Sequence, residues 1–583
     1  MDAAAQLLSR VRGAEARGDF LGAFDLARRG LEEHPGDLAL AHRAVLALAR
    51  SGATAGARSM LASIGLRNDE LIALDARLCK DEALAATGDA RSQLAREAAS
   101  RYAALHVKNG ASYPAINAAT LHLIAGDREQ ATALAERALA LTAGETPSGD
   151  ALDAYWRAAT AAEAALVLGR LEVAREHLIA ARRANPNDHA ALASTRKQLS
   201  LVCATRGDDP ELIEALRPPA VIHFSGHMIG NRFAVGSEAR IASEIAAALA
   251  KRDVGYGFGS LASGADILFA EALLARQAEL HVVLPFDAEQ FVRTSVAPAG
   301  EGWVTRFQAC MQRASSITHG TLDASTEDTD ALFAYGGQLA MGLALLRAGF
   351  LATHAVQIAV WDGKPARGLA GTGADIATWK KRGLPTDVIE ITDGAHLGDA
   401  GPIVAPTSPM HVKAILFGDI KGFSKLRERD VPKFVDYVLG ACGRVLDECE
   451  VDIRNTWGDG LYLVLPTAGD AARCASKLQA AIRALDPARV GLRPMGLRLA
   501  GHVGPVFDCF DAVTKQRSFF GSHVTRTARI EPVTPEGEVF VTEPFAAALA
   551  LGADGFACDY VGDIPAAKGF GNLRMCVLKG KDQ

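Results

Sequence analysis

Five times in its first two hundred residues the chain places a glycine at the head of a short helix-forming stretch. They are Gly18 in GDFLGAFDLARRGLEEHPGD, Gly52 in GATAGARSMLASIG, Gly88 in GDARSQLAREAASRY, Gly126 in GDREQATALAERALAL and Gly169 in GRLEVAREHLIAARRANPND. The separations are 34, 36, 38 and 43 residues. A period of that length restricts the segment to helical units that bury their apolar faces only against neighbouring units. Alanine recurs where helices would pack, strand-type runs are nearly absent, and units often close on Pro-x-Asp. Residues 1–215 are therefore expected to form an all-α helical-repeat region. Such arrays expose large concave surfaces, so this one is expected to receive a protein partner or to regulate; the alternative is a passive packing unit.

The units resemble degenerate tetratricopeptide repeats, and YPAINAATLHLIAGD (residues 113–127) also resembles a TRAFs-binding-type helical domain. From residue 218 to 392 the pattern changes to strands alternating with helices: AVIHFSGHMI, SEARIASEIAAALAKRD, VGYGFGSLASGADILFAEALLARQ, AELHVVLPF and, further on, AVQIAVWDGKP. That alternation predicts an α/β Rossmann-like domain with a parallel sheet. The glycine-rich loop 255–266 is placed to approach a phosphate at the next helix N-terminus. It lacks the Lys-Ser/Thr ending of a P-loop, does not fit G-x-G-x-x-G cleanly, and contains no clear acid pair. FSGH, GSLASGADILFAEALL and LHVVLPFDAEQF together resemble the SLOG superfamily. That resemblance implies a nucleotide-type ligand near Ser225, Gly226, Gly259 and Ser260; a non-binding spacer is the alternative.

A Gly/Pro/Ser-rich linker, 393–411, precedes a compact α+β domain over 412–583. A length of 583 residues suits three such domains. The formal charge of −6 gives no reason to expect nucleic-acid binding. The longest apolar stretch, 339–360, is interrupted by Arg347 and His354, so no membrane span is expected. The N-terminus is charged and amphipathic rather than a signal peptide, and nine scattered cysteines without C-x-x-C point to a reducing, cytoplasmic setting.

In the last domain, AILFGDIKGFSKL reads as a strand ending at Asp419, then a tight turn and a helix. Forty residues on, RNTWGDGLYLVL places Asp459 in a Gly-Asp-Gly turn. Either unit alone is an ordinary turn. Strand–Asp–helix–helix–strand followed by the Gly-Asp-Gly hairpin is instead the start of a ferredoxin-like palm, in which two carboxylates face one point. FGDIKGFS, NTWGDGLYLVL, GLRLAGHVGPV, FFGSHVTRTARI and YVGDIPAAKGFG, in that order over about 412–578, closely resemble the motifs of class III nucleotidyl cyclases.

The resemblance implies two divalent cations, Mg2+ or Mn2+, on Asp419, Asp459 and the Ile420 carbonyl, and an NTP substrate. It assigns Gly422, Phe423 and Ser424 to phosphate through their amides, and Arg498 and Lys568 to the polyphosphate. Arg529 matches the transition-state arginine, whose alternative is a surface ion pair with Glu531 or Asp511. Sites of this family form between two cyclase domains. A single domain carrying both halves implies a homodimer.

Three positions depart from the pattern. Asn455 stands where purine-reading members have Lys or Glu, Ser518 where many adenylate cyclases have Asp, and Thr525 where the transition-state Asn is usual. Asn455 and Ser518 both donate and accept, so the base stays open. Adenylate cyclisation to cAMP is favoured, with a pyrimidine cyclase of bacterial antiphage signalling, making cUMP or cCMP, as the alternative. Two other readings are a non-catalytic nucleotide-sensing scaffold and a central domain acting as a nucleotide hydrolase.

Overall fold

The computed structural model describes residues 3–144, 150–230, 232–321, 329–366, 368–391, 410–552 and 555–580. The expected linker 393–411 lies outside the described residues except for 410 and 411, which already belong to a strand. The chain divides into two compact units, Met1–Pro218 with Gly349–Thr353, and Pro219–Ala348 with His354–Gln583.

In the first unit the described residues form eleven α-helices, from Ala3–Ala16 to His189–Arg206. Each of the five repeat glycines has positive φ: Gly18 +74°, Gly52 +94°, Gly88 +58°, Gly126 +87° and Gly169 +74°. Left-handed backbone ends one helix and turns the chain into the next, and glycine takes it without a Cβ penalty. The aspartates after the prolines also have a local cause. Asp37 Oδ1 accepts from Ala39 N and Leu40 N at 2.8 and 3.0 Å, and Asp188 Oδ1 from Ala191 N at 2.9 Å. Each therefore satisfies first-turn amides that the helix leaves unbonded. Alanines such as Ala131, Ala135, Ala162 and Ala181 are fully or almost fully buried, which lets the helix axes approach closely.

The second unit holds two sheets. Strands β1 (Ala220–Gly226), β2 (Val254–Gly259), β3 (Glu279–Leu284), β4 (Ser316–His319), β5 (Ala355–Trp361) and β6 (Thr386–Glu390) form one in the order β4-β3-β2-β1-β5-β6. Every pairing in it is parallel. The chain steps outward from β1 to β4 and returns on the other side at β5, so the order reverses between β1 and β5. A crevice at the carboxyl ends of the strands is expected there.

The second sheet is built from β7 (Met410–Lys421), β8 (Ile453–Trp457), β9 (Gly460–Leu465), β10 (Gly496–Asp511), β11 (Gln516–Phe520), β12 (Val539–Thr542), β13 (Phe556–Pro565) and β14 (Asn572–Gly580). Its order is β13-β14-β12-β10-β7-β9-β8, with β11 on β10. β7 is central, antiparallel to β10 on one side and β9 on the other. The two helices expected between β7 and β8 are one continuous helical run from Val431 to Asp447. Its middle, Val435–Leu439, is a π-turn in which Gly440 N reaches Val435 O five residues back. A bulge of this kind inserts a residue without ending the helix.

The helix Asp330–Leu351 joins the two halves of this unit. Tyr335, 2% exposed, donates its hydroxyl to Val503 O on β10 at 3.0 Å, and its ring meets His523 edge-on at 5.7 Å. A Cβ on Gly342 would stand 2.3 Å from Ala547 O, in the helix Glu543–Gly552, so only glycine allows this approach. By length and composition Asp330–Leu351 is apolar enough to span a bilayer, but 61% of its apolar window is buried in the protein. All nine cysteines are free thiols.

Candidate active site

Asp419 lies near the end of β7, opposite Gly460 of β9 and Arg498 of β10. Asp459 lies in the two-residue turn joining β8 to β9, where Gly458 takes φ +69°. A positive φ there matches the right-handed twist of the flanking strands. Ile420 N donates to Asp459 O at 3.1 Å, so the β7 terminus and the hairpin tip are held together by backbone. Phe423 closes over this junction. Its ring packs on Phe434 at 4.8 Å and would meet a Cβ on Gly458 at 3.5 Å.

The charges converge as well. Arg498 Nη2 is 2.9 Å from Asp419 Oδ2, and its Nε is 2.5 Å from Glu531 Oε1, close but not aligned for a hydrogen bond. Burial raises the Asp459 carboxyl above its ordinary value, and the neighbouring Asp419 charge adds to that. Glu531 is raised too, by burial first and then by Asp419 and Asp459 against the opposing pull of Arg498. Three carboxyls thus share one guanidinium, and the surplus of negative charge suits divalent cations. Among the described residues no group of three His, Cys, Asp or Glu gathers at metal-ligand distance, so the protein's donors at this point would be Asp419, Asp459 and the adjacent backbone carbonyl.

After β7, Gly422 turns at φ +106° into a short 3-10 segment, Phe423–Lys425. Lys425 N and Leu426 N bond back to Gly422 O and Phe423 O. The amides of Gly422, Phe423 and Ser424 meet no carbonyl among the described residues and are open to an anion.

The remaining expected residues are placed as follows. Arg529, in the helix Ser522–Ile530, has no ion pair among the described residues. Glu531 is committed to Arg498, and Asp511 accepts from Val513 N and Thr514 N. The surface ion pair considered as the alternative for Arg529 is therefore not formed, because residues two apart on a helix do not face each other. Thr525 is exposed on the same helix and turns its hydroxyl to Gly521 O at 3.5 Å. Lys568 is exposed at φ +58° in the loop joining β13 to β14. Asn455 is exposed on β8, where its Oδ1 accepts from Thr456 N at 2.8 Å.

One further side chain, Tyr462, lies beside both of the expected base-reading positions, Asn455 and Ser518. Tyr462 is the register partner of Asn455, donates to Phe519 O at 2.7 Å and lies within bonding reach of Ser518. Its ring is parallel to that of Trp457, 6.1 Å away, and close to Phe417 at 5.0 Å. The available signal is an aromatic on each strand beside the Gly-Asp turn.

In the parallel-sheet domain a cavity of about 650 Å3 opens at the β1/β5 reversal. Ser225, Gly226 and Ser260 line it; Gly259 does not. A Cβ on Gly259 would stand 2.6 Å from the Phe224 ring, so that glycine serves packing. In the 255–266 loop, Ala262 N donates to Asp266 Oδ2 at 3.3 Å and Ala265 N to His227 O at 3.2 Å, so two of its amides already have partners within the protein. The absence of an acid pair holds only within the loop. Asp375, from the helix Thr372–Lys381, lies near Asp266, and burial raises both to about 7.

The sheet thus brings two aspartates to adjoining turns and leaves Arg529, on the helix after β11, without an ion pair among the described residues. Residues 406–580 match the family model described as the adenylate and guanylate cyclase catalytic domain, and residues 19–122 match Tetratricopeptide Repeats-Sensor. The chain therefore carries a class III adenylate/guanylate cyclase catalytic domain at its C-terminus and a tetratricopeptide-repeat sensor domain near its N-terminus.

Among solved structures, the guanylyl cyclase Cya2 is similar at 22% identity, over 29% of this chain and 93% of that one, with a TM-score of 0.26. The adenylyl cyclase CyaB from P. aeruginosa is similar at 18%, over 29% and 95%, with a TM-score of 0.26. The guanylate cyclase domain of RhGC from Catenaria anguillulae is similar at 16%, over 29% and 96%, also with a TM-score of 0.26. No curated protein matches the chain.

Proposed function

We propose that this chain is a nucleotidyl cyclase that converts an NTP into a 3′,5′-cyclic nucleotide and pyrophosphate. The observation that carries the reading is the meeting of Asp419 and Asp459 at two adjoining turns, beside open amides and an arginine with no ion-pair partner among the described residues. Divalent cations bound by Asp419, Asp459 and the Ile420 carbonyl would supply Lewis acidity to the ribose 3′-OH and to the α-phosphate.

The protein's own groups account for binding and orientation. The amides of Gly422, Phe423 and Ser424 receive the β- and γ-phosphates, and Lys568 adds a cation. Arg498 shares its guanidinium between Asp419 and the polyphosphate. The 3′-oxygen, on losing its proton, forms a bond to the α-phosphorus in line with the oxygen of the departing pyrophosphate. Arg529 stabilises the charge that builds on the α-phosphoryl group, an effect worth about 3–4 kcal/mol. Thr525 donates to an oxygen of the same substrate.

Asn455 and Ser518, each beside Tyr462, would face the base as neutral groups. Adenine is favoured, and uracil or cytosine is the alternative that this neutrality supports. A homodimer, with two symmetric sites, is supported by exposed apolar residues on and beside the strands that carry the base-reading positions: Trp457 60%, Phe510 67%, Val513 90% and Phe520 44% exposed.

Regulation enters through the helix Asp330–Leu351. It lends Phe333, Gly336 and Ala340 to the cavity at the parallel sheet, where a nucleotide-type ligand would sit. Through Tyr335 it touches His523, two residues before Thr525 on the helix that also holds Arg529. A ligand that moves this helix changes the position of both groups.

The experiment is product chromatography after incubating the full chain with Mn2+ and an equimolar mixture of four NTPs. At least one cyclic nucleotide is expected, and none from Asp419→Ala. Nucleotide binding by calorimetry with no product from any NTP would select the non-catalytic scaffold. The acid pair Asp266–Asp375 keeps a hydrolase reading of the central cavity open to test through Asp266→Ala in the same assay.

A further inference from the structure

The repeat unit contains a cavity of about 1120 Å3 that neither the cyclase chemistry nor the central domain uses, and a smaller one of about 360 Å3 that shares lining residues with it. Arg50, Arg77, Tyr113 and Trp156 line both. Arg43 and His42 line the larger one and Lys80 the smaller.

The cations here are crowded, and Arg50 and Arg77 lack close ion-pair contacts. Glu15 Oε2 is shared by Arg43 at 2.9 Å and Arg50 at 3.7 Å, and Arg77 has only Asp81, also at 3.7 Å, among the described residues. The buried Nε atoms of Arg50 and Arg77 find no hydrogen-bond partner among the described residues. Lys80 donates to two neutral oxygens, Asn117 Oδ1 at 3.0 Å and Gln198 Oε1 at 3.1 Å. His42 is held at about 4, by burial first and then by the charges of Arg43, Arg50 and Arg77. Six acids also line the larger cavity: Asp150 and Asp188 cap helices, Asp69 pairs with Lys108, Glu15 holds Arg43 and Arg50, and Glu70 and Asp153 complete the set. The Nε groups of Arg50 and Arg77 are desolvated without a partner, which carries a cost that a bound anion would offset.

We propose that this cavity binds a small phosphate-bearing molecule whose anion sits among Arg43, Arg50 and Arg77 and whose flat group lies against Trp156 and Tyr113. Arginine forks match phosphate oxygens bidentately, and a dianion compensates more than one of them, which a single carboxylate cannot. The side chains of Arg50 and Arg77 are only 11% and 23% exposed, so they lie deep enough for a compact anion and too deep for the acidic side chains of a docked helix. The two aromatics add a stacking surface. The site lies wholly in the repeat unit, and the proposal stands independently of the cyclase reading.

The test is titration calorimetry on the full chain carrying Arg498→Gln and Lys568→Ala, which weaken polyphosphate binding at the cyclase domain. The probes are inorganic phosphate, pyrophosphate, ATP, uncharged adenosine and a glutamate-rich peptide. Pyrophosphate or ATP is expected to bind, with a loss of at least tenfold on adding Arg77→Gln and a smaller loss with Arg77→Lys. The ligand-free melting temperature of the Arg77→Gln chain should hold or rise, since an undercompensated cation has been removed. The proposal is overturned if no phosphate compound binds at millimolar concentration, or if Arg77→Gln leaves binding unchanged. It is equally overturned if that substitution lowers the melting temperature by several degrees, which marks a structural arginine, or if only the peptide binds.

Discussion

If the cyclase site is assembled from two chains, two inactive variants should restore one another. Asp419→Ala removes a carboxylate from the charge cluster at the end of β7, where Asp419 also holds Arg498 at 2.9 Å. Arg529→Ala removes the arginine that has no ion-pair partner among the described residues of its own chain. By the magnitude usual for a group that stabilises transition-state charge, Arg529→Ala should lower turnover by about 10²–10³. In an equimolar mixture, random exchange makes about half of the dimers mixed. Each mixed dimer has one doubly damaged site and one intact site, the latter pairing Asp419 of one protomer with Arg529 of the other. The mixture should therefore recover about a quarter of wild-type activity, far above either variant alone. Initial rates of cyclic nucleotide formation after co-refolding or co-expression measure this, with size-exclusion chromatography to verify association. Activity that stays at the level of the better single variant, although mixed dimers form, would refute the shared site. The arginine would then serve its own chain.

Three further outcomes can be checked. Asn455→Lys with Ser518→Asp should raise the share of cAMP among products from a mixed NTP pool, since a charged donor and an acceptor then face adenine; an unchanged product ratio would remove these positions from base reading. Gly342→Ala should cost about 1–3 kcal/mol in urea unfolding, because its Cβ would stand 2.3 Å from a backbone oxygen that cannot rotate away; a neutral effect would show that the helices part easily. His223 and His523 are buried and His42 is half-buried, and they are held at about 3, 3 and 4, chiefly by desolvation. The unfolded chain takes up their protons from about pH 6.5 downward while the folded chain does not, so these rings lower stability as pH falls from about 6.5 to 4, whereas Asp266 and Asp375, raised to about 7, act in the opposite sense over the same range. His223→Gln should therefore raise the melting temperature at pH 5.5 relative to that at pH 7.5; an unchanged difference between the two pH values would contradict the burial assigned to this ring.

Local rules make much of this chain legible in its sequence. The spacing of Gly18, Gly52, Gly88, Gly126 and Gly169 announces turns that only glycine makes cheaply, and all five have positive φ. Asp37 and Asp188 follow prolines because a helix start needs an acceptor for its amides. The Gly-Asp turn at Asp459 and the strand end at Asp419 can likewise be read from adjacent residues, and their order along the chain joins them into one site. These are short-range effects, settled within a few residues.

What the sequence does not state is which distant groups share a space. Chain proximity makes Glu531 a candidate partner for Arg529, but strand register places Arg498 between Glu531 and Asp419. Asp375 lies more than a hundred residues from Asp266 and meets it only because β5 returns beside β1. Gly259 has the look of a ligand loop and in fact makes room for Phe224. The crowding of Arg43, Arg50 and Arg77 around one cavity arises only once the helices have stacked. Local chemistry and chain order therefore determined the repeat, the turns and the two aspartates. The charge balance of each site was decided by tertiary packing, because desolvation and Coulomb terms depend on distances that no short stretch of sequence encodes.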